Sequence, residues 1–360
     1  MSAGPTIAWI GGGYLHPQFA ECGYDVRRVA LSAPRVLDWD AVCRETGREP
    51  DFVVYADASL PPPLVGLERF PCPTLFYCVD SHIHEWYPFY AQAFDLCAVS
   101  LLDHLPRMTL RLGPDRVFWL PPFPIRGERP PKVAPQRIWD VLFVGRVDPE
   151  TSPVRAKFLR EFATEVDNFE VREGTFANLF PKARIVLNIA ERGDLNFRVF
   201  EALATGSCLL TPRVGNGQDQ LFEDGVHLFT YELNDPRDAA RKANRLLAHP
   251  ELCERVGLAG LAEVDAHHRR RNRVRTILDR IEGLDREAVV RERLAQADMI
   301  RDKYLRLLYL HWGAEVTDAR SRELYLWGAR GDGKSPAQRP QKRPARAANH
   351  NPQDPESKSV

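Results

Sequence analysis

Net charge is the first thing this 360-residue sequence lacks. Lysine plus arginine total 49, and aspartate plus glutamate total 49. No field of one sign covers the chain, so composition argues for no nucleic-acid partner. The seven cysteines (Cys22, Cys43, Cys72, Cys78, Cys97, Cys208 and Cys253) are odd in number and scattered. No C-x-x-C pair occurs, which leaves no signature of a zinc ribbon or a disulfide framework. Several sit in apolar runs such as FYCVD and GSCLL, the setting of buried free thiols in a reducing compartment. No apolar stretch approaches the ~20 residues of a membrane-spanning helix. The start, MSAGPTIAWIGGGYLHP, has neither the basic opening nor the long apolar run of a signal peptide. The expectation is a soluble, cytoplasmic protein without a transmembrane segment.

What is present is a repeated alternation. TIAWI (6–10) is a short apolar run closed by GGG. YDVRRVAL (24–31), PDFVVYADAS (50–59), PTLFYCVDS (73–81), FDLCAVS (94–100) and RVFWLPPFP (116–124) follow, several closing on Asp, Ser or Gly. DWDAVCRETG (38–47) reads as a capped helix ending on glycine. Strands separated in this way predict an α/β unit with a parallel sheet. PPFPIRGERPPKVAPQ (121–136) is proline-rich and polar, a linker.

The pattern then restarts. WDVLFVGRVD is a strand, SPVRAKFLREFATEV a helix with Ser as N-cap and Pro at its first position, FEVREG and ARIVLNIA strands, and FRVFEALATGS a helix stopped by glycine. CLLTPR and VHLFTYE are further strands, and two helices follow. A long helix, Arg286 to about His311, keeps apolar residues at 3–4 spacing. The expected organisation is a first unit over 1–125, a linker over 126–137, a second unit over 138–283, a helical extension over 284–327 and a disordered tail over 328–360. Two α/β units meeting at a linker place a ligand between them, at the carboxyl ends of the strands.

GARGDGKS (328–335) matches the phosphate-loop pattern G-x-x-x-x-G-K-[ST] and follows a strand-like run, ELYLW. A working phosphate loop needs a helix behind it to present its amides. Pro336, Pro340, Pro344, Pro352 and Pro355 forbid a long one. The match is therefore set aside. The basic run AHHRRRNRVR (266–275) and the tail's Lys342, Arg343 and Arg346 read as solvated charge.

The richest stretch is RGDLNFRVFEALATGSCLLTPRVGNGQDQLFEDGVHL, Arg192 to Leu228. A helix starting near Asn196 offers free amides and a positive dipole end. Arg198 adds a planar guanidinium suited to phosphate. Glu201 lies one turn in, where its carboxylate suits a ribose diol. The same spacing equally fits an ordinary Arg–Glu pair three residues apart. Elsewhere VDSHIHEW sets Asp80, His82, His84 and Glu85 at a strand end. Three readings stand: a zinc site, an acid–base pair from Asp80 and His82, or a hydrogen-bonded structural loop. In GGGYLHP, Gly12, Gly13 and His16 either let a sugar or phosphate approach the backbone or form a tight strand-to-helix turn. Gly11 and Gly13 without a third glycine do not make a dinucleotide fingerprint.

The stretch resembles the donor region of GT-B glycosyltransferases. The resemblance points to the CgeB-like, spore-maturation type with a glycosyltransferase-group-1-like C-terminal domain. The shared pattern is R-x-F-E-x-x-A-x-G, a strand ending in Thr, then F-x-x-G. Here it is carried by Arg198, Phe200, Glu201, Ala204, Gly206, Thr211, Phe222 and Gly225. FVGRVD (143–148) resembles the first strand and loop of that domain, and the similarity spans about residues 139–280. It implies two Rossmann-like domains facing across a cleft, a nucleotide-diphosphate sugar as co-substrate and no cofactor. The transfer is expected to be hexosyltransferase-like and metal-independent, with an unknown protein or surface-glycan acceptor in a bacterial glycosylation role. Glu201 would bind the donor ribose, and the amides of Asn196, Phe197, Arg198 and Val199 the diphosphate. Gly145 and Arg146 would line the phosphate side, Arg146 stabilising the leaving group. Val171–Thr175, including Gly174, would meet the base. Asp80 and His82 would serve the acceptor. One departure stands out: many retaining relatives carry a second glutamate eight positions before Glu201, where this chain has Gly193, with Glu191 and Asp194 nearby. A GT-B-shaped binding protein without transfer activity and a metal-dependent hydrolase on the DSHIH loop are the competing readings.

Overall fold

The computed structural model describes residues 4–331 together with Ser335 and Pro336. Two parallel sheets organise them. The first has order β2-β1-β3-β4-β5-β6. Its strands are β1 (Thr6–Gly11), β2 (Asp25–Val29), β3 (Phe52–Ala56), β4 (Thr74–Cys78), β5 (Leu96–Val99) and β6 (Val117–Trp119). Between them lie α1 (His16–Glu21), α2 (Trp39–Thr46), α3 (Tyr87–Ala91) and α4 (Leu105–Met108). The second sheet has order β11-β10-β9-β7-β8. Its strands are β7 (Trp139–Val144), β8 (Phe169–Arg172), β9 (Ala183–Leu187), β10 (Cys208–Pro212) and β11 (Phe229–Tyr231). Its helices are α5 (Pro153–Phe162), α6 (Phe176–Leu179), α7 (Phe197–Ala204), α8 (Gln218–Leu221), α9 (Pro236–Leu247) and α10 (Pro250–His267).

Strand order reverses at β1/β3 in one sheet and at β7/β9 in the other. Ligands of open parallel sheets bind outside the carboxyl ends at such reversals. There the chain places Gly12 and Asp57 in the first unit, with Asp80 at the end of the adjoining β4, and Gly145 and Asn188 in the second. Residues 121–138, the proline-rich link, carry no helix or strand.

The first sheet is buried on both faces, as its unbroken apolar strands require. One face packs on Val274, Ile277, Leu278 and Ile281 of α11 (Arg270–Glu282). This helix falls inside the span expected for the second unit, yet its apolar side completes the first unit's core. The other face receives the chain's end: α12 (Arg286–Ala295), α13 (Ala297–Ile300), a π turn (Arg301–Leu305), α14 (Arg306–Glu315) and α15 (Ala319–Arg330). Ile300, Tyr304, Leu305, Leu308, Tyr309, Leu324 and Tyr325 enter that core. The single helix expected over 286–311 is thus interrupted, at Gln296 and again by the π turn. Fully buried Arg293 of α12 locks the packing. It bonds Asp95 at 3.0 Å and the carbonyls of Leu67 and Cys72, both at 2.8 Å.

Two further expectations are corrected. ELYLW is helical, inside α15, and Gly328–Arg330 extend that helix rather than beginning a disordered tail. Gly328 packs on Val65 and Tyr309, and Gly331 is the left-handed residue that ends the helix. Ser335 is buried and donates to Asp38, the N-cap of α2. With a helix rather than a strand before it, GARGDGKS does not have the setting of a phosphate loop. The disorder expected over 337–360 lies outside the described residues, as do Lys342, Arg343 and Arg346.

The basic run 266–275 is not merely a solvated face. Arg273 donates to the carbonyls of Pro121 (2.7 Å) and Pro122 (2.9 Å), and Arg269 to that of Glu128. Both are buried because the link's prolines leave carbonyls without local partners, and guanidiniums supply several donors at once.

Candidate active site

A cleft cavity of about 740 Å³ opens between the carboxyl edges of the two sheets. The first unit and link contribute His82, Ile83, Ile125 and Arg126. The second contributes Arg146, Thr151, Ser152, Arg155, Gly174 and Phe176, then the segment around Glu191–Glu201.

Two helices begin here. α7 starts at Phe197 behind Asn196, and α5 at Pro153 behind Ser152. Neither N-cap side chain closes its own helix. Asn196 instead donates to the carbonyl of Ile189 (3.3 Å), and the Ser152 hydroxyl to that of Asp148 (2.9 Å). The amides of Phe197 and Arg198 in α7, and of Val154 and Arg155 in α5, whose first residue Pro153 has none, therefore remain free for an anion. Phe197 is fixed from the first unit, stacked on Tyr14 with ring centroids 6.0 Å apart and edge-on to Phe123 at 5.6 Å.

Arg198 runs beside this helix start. It donates to Asn188 Oδ1 at 3.1 Å and lies over the rings of Phe143 (5.1 Å) and Phe176 (5.8 Å). Its Nε has no hydrogen-bond partner, and no carboxylate pairs with it among the described residues. Burial and the neighbouring Arg155 push its pKa down to about 10. Arg198 remains charged, with no carboxylate of the described residues to neutralise it. Gly145 makes room for it, since a Cβ there would sit 3.1 Å from the guanidinium and 3.2 Å from the Phe143 ring.

The Arg198–Glu201 pair that spacing allowed does not form. Glu201 is 4% exposed and faces the cleft with no ion pair among the described residues. Burial and the nearby Glu128 push its carboxyl up to about 7, against the pull of Arg198 and Arg126. Arg155 bonds Glu191 at 2.6 Å and the Arg146 carbonyl at 2.9 Å. Arg146 is largely exposed, 3.8 Å from Asp148.

The cleft thus gathers His82, Arg146, Gly174, Asn196, Phe197, Arg198 and Glu201, with Gly145 directly behind Arg198. Val199 is placed differently. Its amide is taken by the Asn196 carbonyl (3.3 Å) and its side chain is core, so it presents nothing to the cavity. Gly12, Gly13 and His16 also do not line it. Gly12 lies between the Tyr14 ring and the Asp57 carbonyl, Gly13 lies on Arg28, and His16 opens α1 beside Trp9. The three turn the chain so that Tyr14 reaches Phe197. Asp80 is half-buried and bonds Ser59 Oγ (3.1 Å) rather than lining the cavity. His82 does line it, with an unpartnered Nδ1. His84 turns away, stacking on Trp86 at 5.4 Å, and Glu85 pairs with Arg107. Among the described residues no three His, Cys, Asp or Glu side chains come together as a metal-binding group. Sequence reasoning missed Arg155, Arg126 and Asn188, because sheet order alone brings them to Arg198 and Glu201.

The comparisons agree with this architecture. Residues 154–279 match a family model described as "Glycosyl transferase-like". The chain matches no curated protein by sequence. Sucrose-phosphate synthase from Thermosynechococcus elongatus is similar in structure at 14% identity, with 76% of this chain and 98% of that chain covered and a TM-score of 0.56. Anabaena HepE, solved with UDP and glucose, is similar at 10% identity over 78% and 100% of the two chains, with a TM-score of 0.56. A glycosyltransferase from Rickettsia africae is similar at 9% identity over 77% and 97%, with a TM-score of 0.55. The two facing parallel sheets are the GT-B fold. Among the described residues no helix is long and apolar enough to cross a membrane.

Proposed function

We propose that the protein is a glycosyltransferase that takes a sugar from a nucleotide-diphosphate donor. The carrying observation is Arg198, a charged guanidinium without an anionic partner, beside two uncapped helix starts in one cleft. Such a cradle suits a diphosphate. Glu201, a turn further into α7, accepts the ribose hydroxyls, and the backbone at Gly174 lies toward the base. Arg146, exposed at the rim, meets charge developing on the leaving diphosphate. The acceptor enters along the first unit's wall. Its hydroxyl oxygen bonds the anomeric carbon, and the bond to the diphosphate breaks, its electron pair leaving with the diphosphate oxygen. The acceptor proton passes to Asp80 or His82. Guanidiniums and helix ends supply the positive charge a metal would otherwise bring, which supports a metal-independent transfer; a hexosyl group as the sugar is part of the same proposal. The CgeB-like assignment and a protein or surface-glycan acceptor in bacteria belong to the same proposal.

The test is calorimetric titration of UDP, GDP, TDP, CDP and ADP, without added metal, into wild type, Arg198→Met and Lys334→Ala. One diphosphate should bind wild type and Lys334→Ala alike and Arg198→Met weakly. Binding lost only with Lys334 would overturn the cleft reading in favour of the glycine-rich segment 328–335. No binding by any diphosphate would favour a GT-B-shaped partner protein.

A further inference from the structure

The first unit's side of the cleft is built around a carboxylate that touches no part of the cavity. Asp57, at the end of β3, is 1% exposed. Its Oδ1 accepts from Tyr87 Oη (2.6 Å) and from the Ser59 amide (2.8 Å), and its Oδ2 accepts from the Asp80 amide (3.1 Å). No cation pairs with it among the described residues. Ser59 completes the loop. It holds a left-handed backbone, φ 54°, rare for a residue with a side chain. In that strained position its hydroxyl donates to Asp80 Oδ2 (3.1 Å), and its carbonyl meets His84 Nε2 (3.4 Å). Local strain of this kind persists only where surrounding contacts over-determine it. Here three hydrogen bonds to one buried carboxylate tie the loop after β3 to the start of α3 and to the loop after β4, which carries Asp80 and His82.

We propose that Asp57 is a positioning residue, holding Asp80 so that Asp80 receives the acceptor's proton. The inference rests on the glycosyl-transfer reading above. In that step the acceptor oxygen bonds the anomeric carbon, the leaving diphosphate keeps the electron pair of the broken bond, and the proton ends on an oxygen of Asp80, which stands behind the cavity lining, two residues before His82 of its wall. The surroundings suit that part. Burial and then the Asp57 charge raise the proton affinity of Asp80, with Asp194 of the facing unit adding to it, while His82 and the Ser59 hydroxyl oppose. Tyr14, from the glycine turn, stays protonated beside both carboxylates. A carboxylate of raised proton affinity is a better general base than a free aspartate. Asp57 brings this about through geometry and charge, without meeting substrate.

The experiment uses the full chain carrying aspartate labelled with ¹³C at the carboxyl carbon. The Asp80 resonance is identified by its loss in Asp80→Asn and titrated in wild type, Asp57→Asn, Tyr87→Phe and Ser59→Ala. Nucleotide-diphosphate affinity and the pH profile of nucleotide-sugar hydrolysis, water standing in for the acceptor, are measured alongside. Asp57→Asn should lower the Asp80 midpoint by roughly one pH unit. The acid limb of hydrolysis should move with it, and nucleotide affinity should not change. Tyr87→Phe, which keeps the charge, should retain the wild-type midpoint. Ser59→Ala should raise it, because a hydrogen bond to the charged form is lost. A midpoint unmoved in Asp57→Asn overturns the proposal. If that variant does not fold, an unmoved midpoint in Ser59→Ala does so. Failure of wild type to bind any nucleotide diphosphate would count against the donor reading, while the carboxyl titration still judges Asp57 itself.

Discussion

Glu201 should make nucleotide binding depend on pH in a way that can be worked out beforehand. Its carboxyl is raised from 4.5 to about 7 by burial and by Glu128. A ribose diol is held by the ionised form, which accepts two hydroxyl bonds. If only that form binds, the apparent dissociation constant scales inversely with its population. About 3% is ionised at pH 5.5 and about 90% at pH 8, so affinity should rise roughly 30-fold across that range. Stability runs the other way. A raised folded pKa marks a neutral form that the fold prefers, so this contribution is whole below about pH 4.5 and is lost as pH climbs through 7. Each pH unit is worth about 1.4 kcal/mol, so the ionised group costs roughly 3 kcal/mol in the free protein. Glu201→Gln should therefore bind weakly at every pH, with the 30-fold rise gone, yet melt higher than wild type at pH 8 and alike at pH 4.5. Calorimetry at five pH values on both proteins is the assay, and the ratio between them cancels the ligand's own titration. If the ratio is flat between pH 5.5 and 8, Glu201 does not hold the nucleotide as argued.

Arg198→Met should weaken diphosphate binding by 1.5–3 kcal/mol, about 10- to 150-fold, the range for a charge-assisted bond. Isothermal titration reads it, and unchanged affinity would remove Arg198 from the site. Arg293→Met leaves Asp95 buried without its cation and should cost about 3–5 kcal/mol. In calorimetric melting that is a fall on the order of 10 °C, and a fall of only a degree or two would mean the C-terminal helices are held by apolar contact alone. Glu68 is buried beneath α15, its Oε2 unpartnered and its carboxyl pushed up to about 7 by burial. By the same sign, Glu68→Gln should stabilise the protein at pH 8 and not at pH 4.5. Equal melting shifts at both would contradict it.

Much of the architecture was readable beforehand, and the reasons are local. Runs such as FVVYA and TLFYC are apolar without a break because both faces of their sheet are covered. The N-cap Asp38 and the stop at Gly47 mark α2 by backbone chemistry alone. What failed depended on distant parts of the chain. ELYLW has β-prone residues, but helix packing on Val65 and Tyr309 overrides that preference. Arg269 and Arg273 look like solvated charge until the carbonyls of the link are seen around them. In the site, Arg198 and Glu201 were visible from their place on one helix. Their relation was not, because Asn188, Phe143 and Phe176 decide where the guanidinium goes. Asp57 carried no signal, since its partners come from its own loop, from the loop after β4 and from the start of α3.

The last sixty described residues have a consequence for how the chain is made. Both faces of the first sheet are closed by α11 and by α13–α15, which leave the ribosome after every strand of both sheets. For most of synthesis the first 125 residues cannot complete their core, and strands built from FVVYA, TLFYC and LCAV stay uncovered. Such surfaces are the kind that aggregate or recruit chaperones. The second unit, whose two cores draw on residues 141–264 and on Leu101, can close earlier. Folding order is therefore expected to run against chain order, and the N-terminal half expressed alone should be insoluble.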